Sequence, residues 1–319
     1  MVSWIRSTDN AALTMELTSP TTQGRPVGLV AGRGVLPLEV CLGMRRFGVP
    51  RVAAVAIRGD ASQEVERLAD ETTWLHAGQL SAAIRWFQRQ RIERVVFAGQ
   101  ITPDRLFGGL RPDLRTFRLL RQLRERNAES IFSAVSDEFE RDGIEVLPST
   151  LFMQDALAPA GQLTARPPNP REQRDISFGL QCAREVSRLD IGQTVVVKRG
   201  TVLAVEGFEG TDQAIQRGGE LGRGKVVVVK VAKPNHDLRF DVPCVGMSTV
   251  ESLHTAGATA LAVQAGMTFL LEKTQLVQAM ERAGIAAVGV TLNAPLDVPK
   301  QAPAAHGGPA ARNGTESGA

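Results

Sequence analysis

The chain has 319 residues, of which 43% are hydrophobic and 22% charged, and its 37 basic and 34 acidic side chains leave a net charge of +3. That length favours two domains, and so small a net charge argues against a protein that binds nucleic acid through bulk positive charge. The three cysteines and four histidines lie far apart, which argues against a disulfide framework, a zinc ribbon and a histidine metal cage.

The two ends of the chain have the composition of disordered segments. Residues 1–25 are rich in Ser, Thr and Asn, and residues 294–319 are rich in Ala, Gly and Pro. The N-terminal stretch lacks the apolar core and basic flank of a signal peptide, and no apolar run approaches the roughly 18 residues of a membrane-spanning helix. We therefore expect a cytoplasmic protein.

Strands and helices alternate through the first half of the ordered chain. Apolar runs predict strands at 27–31, in VAAVAI, in IERVVFAG and in GIEVLP, and helical spacing predicts helices in VLPLEVCLGMRRFG and at 81–90, 113–126 and 128–141. Such alternation is typical of a parallel sheet covered by helices. Residues 26–160 are therefore predicted to form a nucleotide-binding α/β domain with a Rossmann-like, mostly parallel sheet.

A second α/β domain is predicted over residues 161–293. The motif RPPNP at 166–170 predicts a linker or domain edge, and a helix follows at 171–189. TVVVKRGTVLAVEG predicts a hairpin with its turn at Arg199-Gly200, and KVVVVK predicts a buried strand. In STVESLHTAG we expect a helix capped by Ser248, with Glu251 three residues later as in a capping box.

The first candidate site is the motif Gly32-Arg33-Gly34, between a predicted strand and a predicted helix. Glycines there let the backbone approach a phosphate group, which the helix N-terminus also favours. A dinucleotide-binding fingerprint would have a third glycine where this chain has Pro37. The motif therefore favours a mononucleotide or nucleotide diphosphate over NAD, and an ordinary tight turn is the alternative.

The second candidate site is the acidic motif EGFEGTD, residues 206–212, which leads from a strand into a helix. Grouped carboxylates suit Mg²⁺ or Mn²⁺, so Glu209 and Asp212 are candidate metal ligands. The alternative is helix capping by Thr211 or Asp212, because acidic side chains also favour a helix N-terminus.

The third candidate site is the charged loop KPNHDLRFDVPCVG, residues 233–246, which follows the strand KVVVVK. Asp237 and Asp241 are candidates to share a divalent ion with the preceding acidic motif. Candidates to hold phosphate oxygens are Lys230, Lys233 and Arg239. A charged loop at the carboxyl end of a parallel strand favours phosphoryl transfer or hydrolysis, and a solvated surface loop is the alternative.

The segment RPDLRTFRLLRQLRER, residues 111–126, predicts a basic amphipathic helix. One side would carry Arg115, Arg118 and Arg121, and another would carry Leu114, Phe117 and Leu120. Such a helix can lie on an anionic membrane surface, and an ordinary helix with one solvated face is the alternative.

Four segments together resemble one known family. In chain order they are VGLVAGRGVLPLEV, VLPSTLFMQD, TVLAVEGFEGTD and KPNHDLRFDVPCVG. They resemble the UDP-2,3-diacylglucosamine pyrophosphatases of the LpxI type, over about residues 27–290, and the last two motifs are the distinctive ones. The chain departs from the family pattern at Asn235 and His236, where glycine and glutamine are expected.

The resemblance implies two α/β domains joined by a linker, with the substrate between them. It implies hydrolysis of UDP-2,3-diacylglucosamine to UMP and 2,3-diacylglucosamine 1-phosphate (lipid X), a step of lipid A synthesis, by attack of water on the α-phosphorus. It also implies a divalent ion, Mg²⁺ or Mn²⁺, and a cytoplasmic enzyme peripheral to the inner membrane.

The same resemblance, read with the motifs above, assigns roles to individual residues. The catalytic candidates are Asp237, Asp241 and Arg239. The substrate-binding candidates are Gly32, Arg33, Gly34, Lys230, Lys233, Gly210 and Thr211. The metal-ligand candidates are Asp237, Asp241, Glu209 and Asp212.

Two other functions fit the same residues: a non-catalytic nucleotide-sugar-binding protein, and a metal-dependent phosphotransferase acting on a soluble nucleotide. A mere binder has little need of two carboxylates beside a phosphate, so Asp237 and Asp241 favour an enzyme. A lipid substrate would need an apolar groove. The expected partners are a lipid-linked nucleotide sugar and a membrane surface but no nucleic acid, and a homodimer is left open.

Overall fold

The structure is a computed structural model that describes residues 24–101, 112–123, 128–233, 239 and 242–292. Its strands, β1 to β13, are Val27–Ala31, Val52–Ile57, Glu71–Leu75, Arg94–Ala98, Glu145–Leu147, Gly161–Gln162, Thr194–Lys198, Thr201–Val205, Val226–Lys230, Cys244–Val245, Ala258–Gln264, Phe269–Leu270 and Ala286–Val290. Its helices, α1 to α9, are Leu36–Arg46, Val65–Leu68, Leu80–Arg89, Leu114–Gln122, Ala128–Arg141, Pro170–Arg188, Thr211–Gly222, Met247–Thr255 and Lys273–Arg282. Two 3₁₀ helices are Ser149–Phe152 and Gln154–Ala156.

A five-stranded parallel sheet forms the first domain, in the order β3-β2-β1-β4-β5. Every residue of β2 is buried, as expected for a strand covered by helices on both faces. The predicted parallel sheet is thus confirmed. The sequence did not predict β3, because its residues ETTWL are polar or half-buried and lie at the edge of the sheet.

Close packing of helix α3 on this sheet depends on a glycine in β1. A Cβ atom at Gly28 would lie 2.6 Å from the Phe87 ring and 2.7 Å from Val95. Because Phe87 is completely buried, it has no room to move away from a larger side chain. The residue that fits position 28 is therefore glycine.

A six-stranded mixed sheet forms the second domain, in the order β6-β13-β11-β9-β7-β8. Strands β9, β11 and β13 are parallel, whereas β7 and β8 form the predicted antiparallel hairpin. Its turn residues, Arg199 and Gly200, have φ values of 50° and 71°, the left-handed conformation that such short hairpin turns require. A second α/β domain is therefore confirmed.

The motif RPPNP, which was predicted to be a linker or domain edge, leads into helix α6 of the second domain. Asn169 caps α6 by accepting hydrogen bonds from the Arg171 and Glu172 amides, and Glu172 accepts one from the Asn169 amide at 2.7 Å. Arg166 donates to both Glu172 oxygens, at 2.9 and 3.1 Å. The prolines therefore help to start a helix within the second domain.

Glu172 gives the stability of this domain a predictable pH dependence. Burial by itself would raise the pKa of Glu172, but hydrogen bonds from Arg166 and from the Asn169 amide hold that pKa below its ordinary value. A carboxylate with a lowered folded-state pKa stabilises the fold above the unfolded pKa of about 4.3, and the contribution is lost as the pH falls through the folded value.

We expect Glu172→Gln to lower the free energy of unfolding by about 1–3 kcal/mol at pH 7, because it weakens a buried, charge-assisted network. The difference from wild type should shrink as the pH falls below about 4.3. Urea unfolding of both proteins at several pH values measures it. A difference that does not vary with pH would contradict the assigned role, and Glu185→Gln, at an exposed residue of the same helix, is the control.

A two-stranded parallel sheet, β10 with β12, connects the two domains. Phe269 of β12 is completely buried in the hydrophobic core of the first domain, together with Leu29, Met44 and Phe152. Leu157 forms a bridge with Phe269, and the Ala158 amide donates to the Thr268 carbonyl at 2.8 Å. The chain therefore crosses between domains near residue 158, and a strand from the second domain completes the first core.

Candidate functional site

A chain of hydrogen bonds lies at the carboxyl end of β9 in the second domain. Lys230, the last residue of this strand, is only 8% exposed, and its ammonium group donates to the Thr211 hydroxyl at 2.7 Å. The Thr211 hydroxyl donates in turn to a carboxylate oxygen of Glu206, also at 2.7 Å. This edge of a sheet is where ligands of α/β proteins bind, so the arrangement presents a buried cation at a binding position.

Helix α7 is positioned so that Thr211 can reach Lys230. Gly210 occupies the N-cap position with φ of 87°, a conformation that glycine adopts without strain, and no side chain caps the helix there. The suggested caps, Thr211 and Asp212, lie instead in the first turn of the helix. The Thr211 hydroxyl is therefore available to Lys230 rather than to the helix backbone.

Two polar residues that the sequence analysis did not single out lie beside the hydrogen bonds that join Lys230, Thr211 and Glu206. Thr194 is paired with Lys230 across β7 and β9, so their side chains share one face of the sheet. Within the described part of the chain, the Thr194 hydroxyl and the Gln193 side-chain oxygen are buried without a hydrogen-bond partner. Such atoms are uncommon in folded proteins and fit a site that a polar ligand or water completes.

The two carboxylates predicted as metal ligands within the acidic motif differ in their surroundings. Glu209 accepts a hydrogen bond from Arg217 at 2.5 Å and one from the Gly207 amide at 3.1 Å. The bond from Arg217 is the main cause that lowers the pKa of Glu209. Asp212 is half-buried in the first turn of α7. Among the residues that the structure describes, no group of three His, Cys, Asp or Glu side chains could hold a metal ion.

The remaining charged candidates are Lys233 and Arg239, and both form ion pairs. Lys233 contacts Asp190, and Arg239 donates to Glu140 at 2.8 Å. Because Glu140 belongs to α5 of the first domain, the second pair joins the charged loop to that domain. Asp237 and Asp241, together with Asn235 and His236, lie outside the described residues.

The glycine motif of the first domain already uses part of its backbone. The Gly32 amide donates to the Ala98 carbonyl at 2.8 Å, and the Arg33 amide donates to the Gln100 carbonyl at 2.7 Å. Gly34 has φ of 100°, and a Cβ atom there would meet no atom within 4 Å. The Arg33 side chain donates to the Gln100 side-chain oxygen at 3.3 Å, and it remains exposed, as does Gly34, so these two residues are the parts of the motif that can meet a phosphate.

The arginine stripe predicted on α4 is not continuous. Arg115 donates to Glu138 at 2.8 Å and to Asp142 at 3.0 Å, so it joins α4 to α5 and its neighbouring turn. Arg118 and Arg121 are exposed. The predicted set of three arginines on one solvent face is therefore wrong for Arg115, whose charge is used within the fold.

Two apolar residues of α4 are exposed to solvent. Leu114 is 74% exposed and Phe117 is 50% exposed, and both lie beside Arg118 and Arg121 along an open groove. The Arg121 guanidinium lies over the Phe117 ring, 5.8 Å from its centre. We call these four residues the α4 surface. It combines exposed apolar side chains with positive charge.

The fold and the charged edge of the second sheet define a two-domain α/β protein. Models of the LpxI N-terminal and C-terminal domains match residues 26–156 and 159–288. A protein of Caulobacter vibrioides (strain ATCC 19089 / CIP 103742 / CB 15), named UDP-2,3-diacylglucosamine pyrophosphatase LpxI, is 31% identical over 278 residues, which cover 83% of this chain and 98% of that protein. The chain belongs to the LpxI family of enzymes.

Solved structures of other proteins resemble parts of the chain only distantly. The biotin carboxylase domain of Hydrogenobacter thermophilus 2-oxoglutarate carboxylase is 12% identical, with a TM-score of 0.25 over 55% of this chain and 35% of that one. Glycinamide-RNase-transformylase T of Mycobacterium tuberculosis is 16% identical, with a TM-score of 0.23 over 57% and 44%. Likeness at this level carries no argument about function.

Proposed function

We propose that the protein hydrolyses the pyrophosphate bond of UDP-2,3-diacylglucosamine, giving UMP and 2,3-diacylglucosamine 1-phosphate, in lipid A biosynthesis. The observation that carries this proposal is the buried Lys230 at the carboxyl end of β9, hydrogen-bonded through Thr211 to Glu206, in a member of the LpxI family. The name of the C. vibrioides relative supplies the substrate class.

The described residues can assist such a reaction by stabilising negative charge. Lys230 is held by Thr211 in a place where water is largely excluded, and a cation there interacts strongly with a phosphate oxygen. Lys233 is the first residue of the charged loop, and Arg239 lies between Asp237 and Asp241 in the sequence. Their ion pairs with Glu140 and Asp190 would have to loosen or be shared when a diphosphate binds.

We propose Mg²⁺ or Mn²⁺ as the cofactor, with Asp237 and Asp241 as its main ligands and Asp212 as a neighbouring one. A divalent ion at that place would neutralise the diphosphate and lower the pKa of a bound water. Glu209 fits less well than the sequence suggested, because Arg217 already neutralises its carboxylate. It could act as a ligand only after that pair opens.

The test of the reaction is hydrolysis in ¹⁸O-labelled water. We expect UMP and lipid X as products, with the label in UMP, because attack on the α-phosphorus leaves the new oxygen on the uridine side. EDTA should abolish turnover, and added Mg²⁺ should restore it. Label in lipid X would show that water attacks the other phosphorus. Undiminished turnover in EDTA would contradict the proposed metal dependence. Binding of the substrate without turnover would favour the nucleotide-sugar-binding alternative.

We further propose that the enzyme works in the cytoplasm, at the surface of the inner membrane. Within the described ranges no helix is both long and apolar enough to cross a bilayer. The α4 surface offers a different kind of contact, since Leu114 and Phe117 can enter the interface while Arg118 and Arg121 meet anionic head groups.

Charge reversal tests this contact. We expect Arg118→Glu with Arg121→Glu to reduce sedimentation with anionic liposomes at low salt by tenfold or more, since each basic residue near the surface contributes roughly 1 kcal/mol. Turnover of detergent-dispersed substrate should change little. The matched control is Arg174→Glu with Arg188→Glu, which reverses two exposed charges on α6. Equal sedimentation of both double variants would rule out the α4 surface.

A further inference from the structure

A cavity of about 110 Å³ lies inside the first domain, between one face of its sheet and helices α3, α4 and α5. Its walls include Val30 and Phe97 from the sheet, Ala83 from α3, Leu119 from α4, and Val135 and Phe139 from α5. These side chains are all hydrocarbon. None of the residue roles assigned above uses this space.

Two polar groups that border the cavity form hydrogen bonds within the protein. The Thr116 hydroxyl donates to the Gly78 carbonyl at 2.6 Å, and the Gln79 side-chain oxygen accepts from the His76 amide at 2.8 Å. A cavity with hydrocarbon walls and satisfied polar neighbours has little to offer water or a polar ligand. Its chemistry selects an apolar occupant.

The size of the cavity sets how much of an apolar ligand it can hold. An engineered protein cavity of about 150 Å³ with similar walls takes up benzene, which has six carbons. On that scale the space here holds roughly four carbons of an alkyl chain. It is therefore too small for a whole fatty acyl chain but suits one end of such a chain.

The position of the cavity relates it to the candidate site. Ile57 and Leu75, the last residues of β2 and β3, line it, so it lies at the carboxyl edge of the sheet, the edge that also carries Gly32–Gly34. Helix α5 lines the cavity through Phe139, and the next residue, Glu140, accepts the hydrogen bond from Arg239 of the charged loop. One helix thus connects the cavity with that loop.

We propose that this cavity is an acyl pocket, which receives the terminal carbons of one acyl chain of the substrate. The proposal rests on the proposed function, because that function supplies a ligand with two acyl chains. Helix α4 has the α4 surface on its outer side and Leu119 on its cavity side. A lipid approaching from the bilayer therefore meets the helix that covers the pocket.

Two substitutions that change the pocket volume in opposite directions test the proposal. Ala83→Leu fills the space and Val135→Ala enlarges it, while Ala279→Leu, on α9 of the second domain, is the control for an added apolar group. The ligands are lipid X with acyl chains of about ten carbons, lipid X with chains roughly four carbons shorter, and UMP. Affinities are measured by calorimetry on the full chain.

We expect the wild type to bind the longer lipid X roughly a hundredfold more tightly than the shorter one, as four buried methylenes predict. Ala83→Leu should lose that preference, Val135→Ala should retain it and gain affinity for still longer chains, and Ala279→Leu should behave as wild type. UMP affinity should be unchanged in all three, which also shows that each variant is folded.

Two results would contradict the acyl pocket, and only the second would also contradict the proposed function. If Ala83→Leu and Val135→Ala bind both lipids as the wild type does, the acyl chain binds outside this cavity. That result would leave the proposed reaction unaffected. If the wild type binds neither UMP nor lipid X and does not cleave UDP-2,3-diacylglucosamine, the proposed function fails, and the occupant of the cavity fails with it.

Discussion

Replacing Asp237 or Asp241 by alanine is expected to lower kcat by about two orders of magnitude or more for at least one of the two positions, as is typical when a positioned catalytic group is lost. Both residues belong, in the sequence, to the charged loop that follows β9, the strand that ends at the buried Lys230. A carboxylate there has a clear chemical task, which is to hold a divalent ion or to accept a proton from the attacking water.

The measurement is steady-state hydrolysis of UDP-2,3-diacylglucosamine, together with substrate affinity and melting temperature for each variant. An inactive variant that melts as wild type and still binds substrate would separate catalysis from folding. Glu185→Ala removes an exposed carboxylate from α6 and is the control. Full activity in both aspartate variants would move the catalytic site away from this loop.

Lys230→Met is expected to reduce kcat/KM by about a hundredfold, because it removes the buried cation that we propose interacts with a phosphate oxygen. Methionine keeps most of the length and the apolar stem of lysine. The fold should tolerate it, because the Thr211 hydroxyl keeps its hydrogen bond to Glu206 when the Lys230 donor is removed.

Lys225→Met is the matched control, because Lys225 is exposed and immediately precedes the same strand. Comparing kcat with KM shows what Lys230 does. A loss mainly in kcat indicates contact with the reacting phosphate, and a loss mainly in KM indicates substrate binding. Wild-type kinetics together with a lowered melting temperature would make Lys230 a structural residue that holds Thr211.

The parts of the fold that the sequence predicts are those with strong local signals. The run VAAVAI could be assigned to a buried strand because all six residues are apolar, and Arg199-Gly200 marks a hairpin turn by its chemistry. Strands β10 and β12 have only two residues each and exist because the second domain docks on the first. Pairing of that kind depends on tertiary contacts.

Helix ends show the same limit on a smaller scale. The motif STVE has the form of a capping box with Ser248 as its cap, yet α8 begins at Met247, with Gly246 at the N-cap and no side-chain cap. A capping motif sets the start of a helix only if the preceding residues are free to adopt the cap conformation. Here the residues just before the helix form strand β10. The local pattern therefore places the N-cap at Ser248, two residues after the observed N-cap at Gly246.

The candidate site divides in a similar way. Lys230 and Thr211 could be singled out because each stands at a predicted strand-to-loop or loop-to-helix junction, and the structure joins them by a hydrogen bond. Thr194 is the first residue of β7, Gln193 precedes it, and neither belongs to a motif, so only the pairing of β7 with β9 reveals them. Arg115 was assigned to a solvent face because helical spacing within one segment cannot reveal its contacts with Glu138 and Asp142, which lie more than 20 residues later in the chain.

The burial of Phe269 in the first domain has a consequence for how the protein unfolds. Its ring belongs to the core that contains Leu29 and Met44, although the chain around it belongs to the second domain. Losing a buried phenylalanine costs a small core roughly 3–5 kcal/mol, a large share of the stability of one domain. Neither half should therefore melt alone, and calorimetry should record one cooperative transition for a chain with two domains.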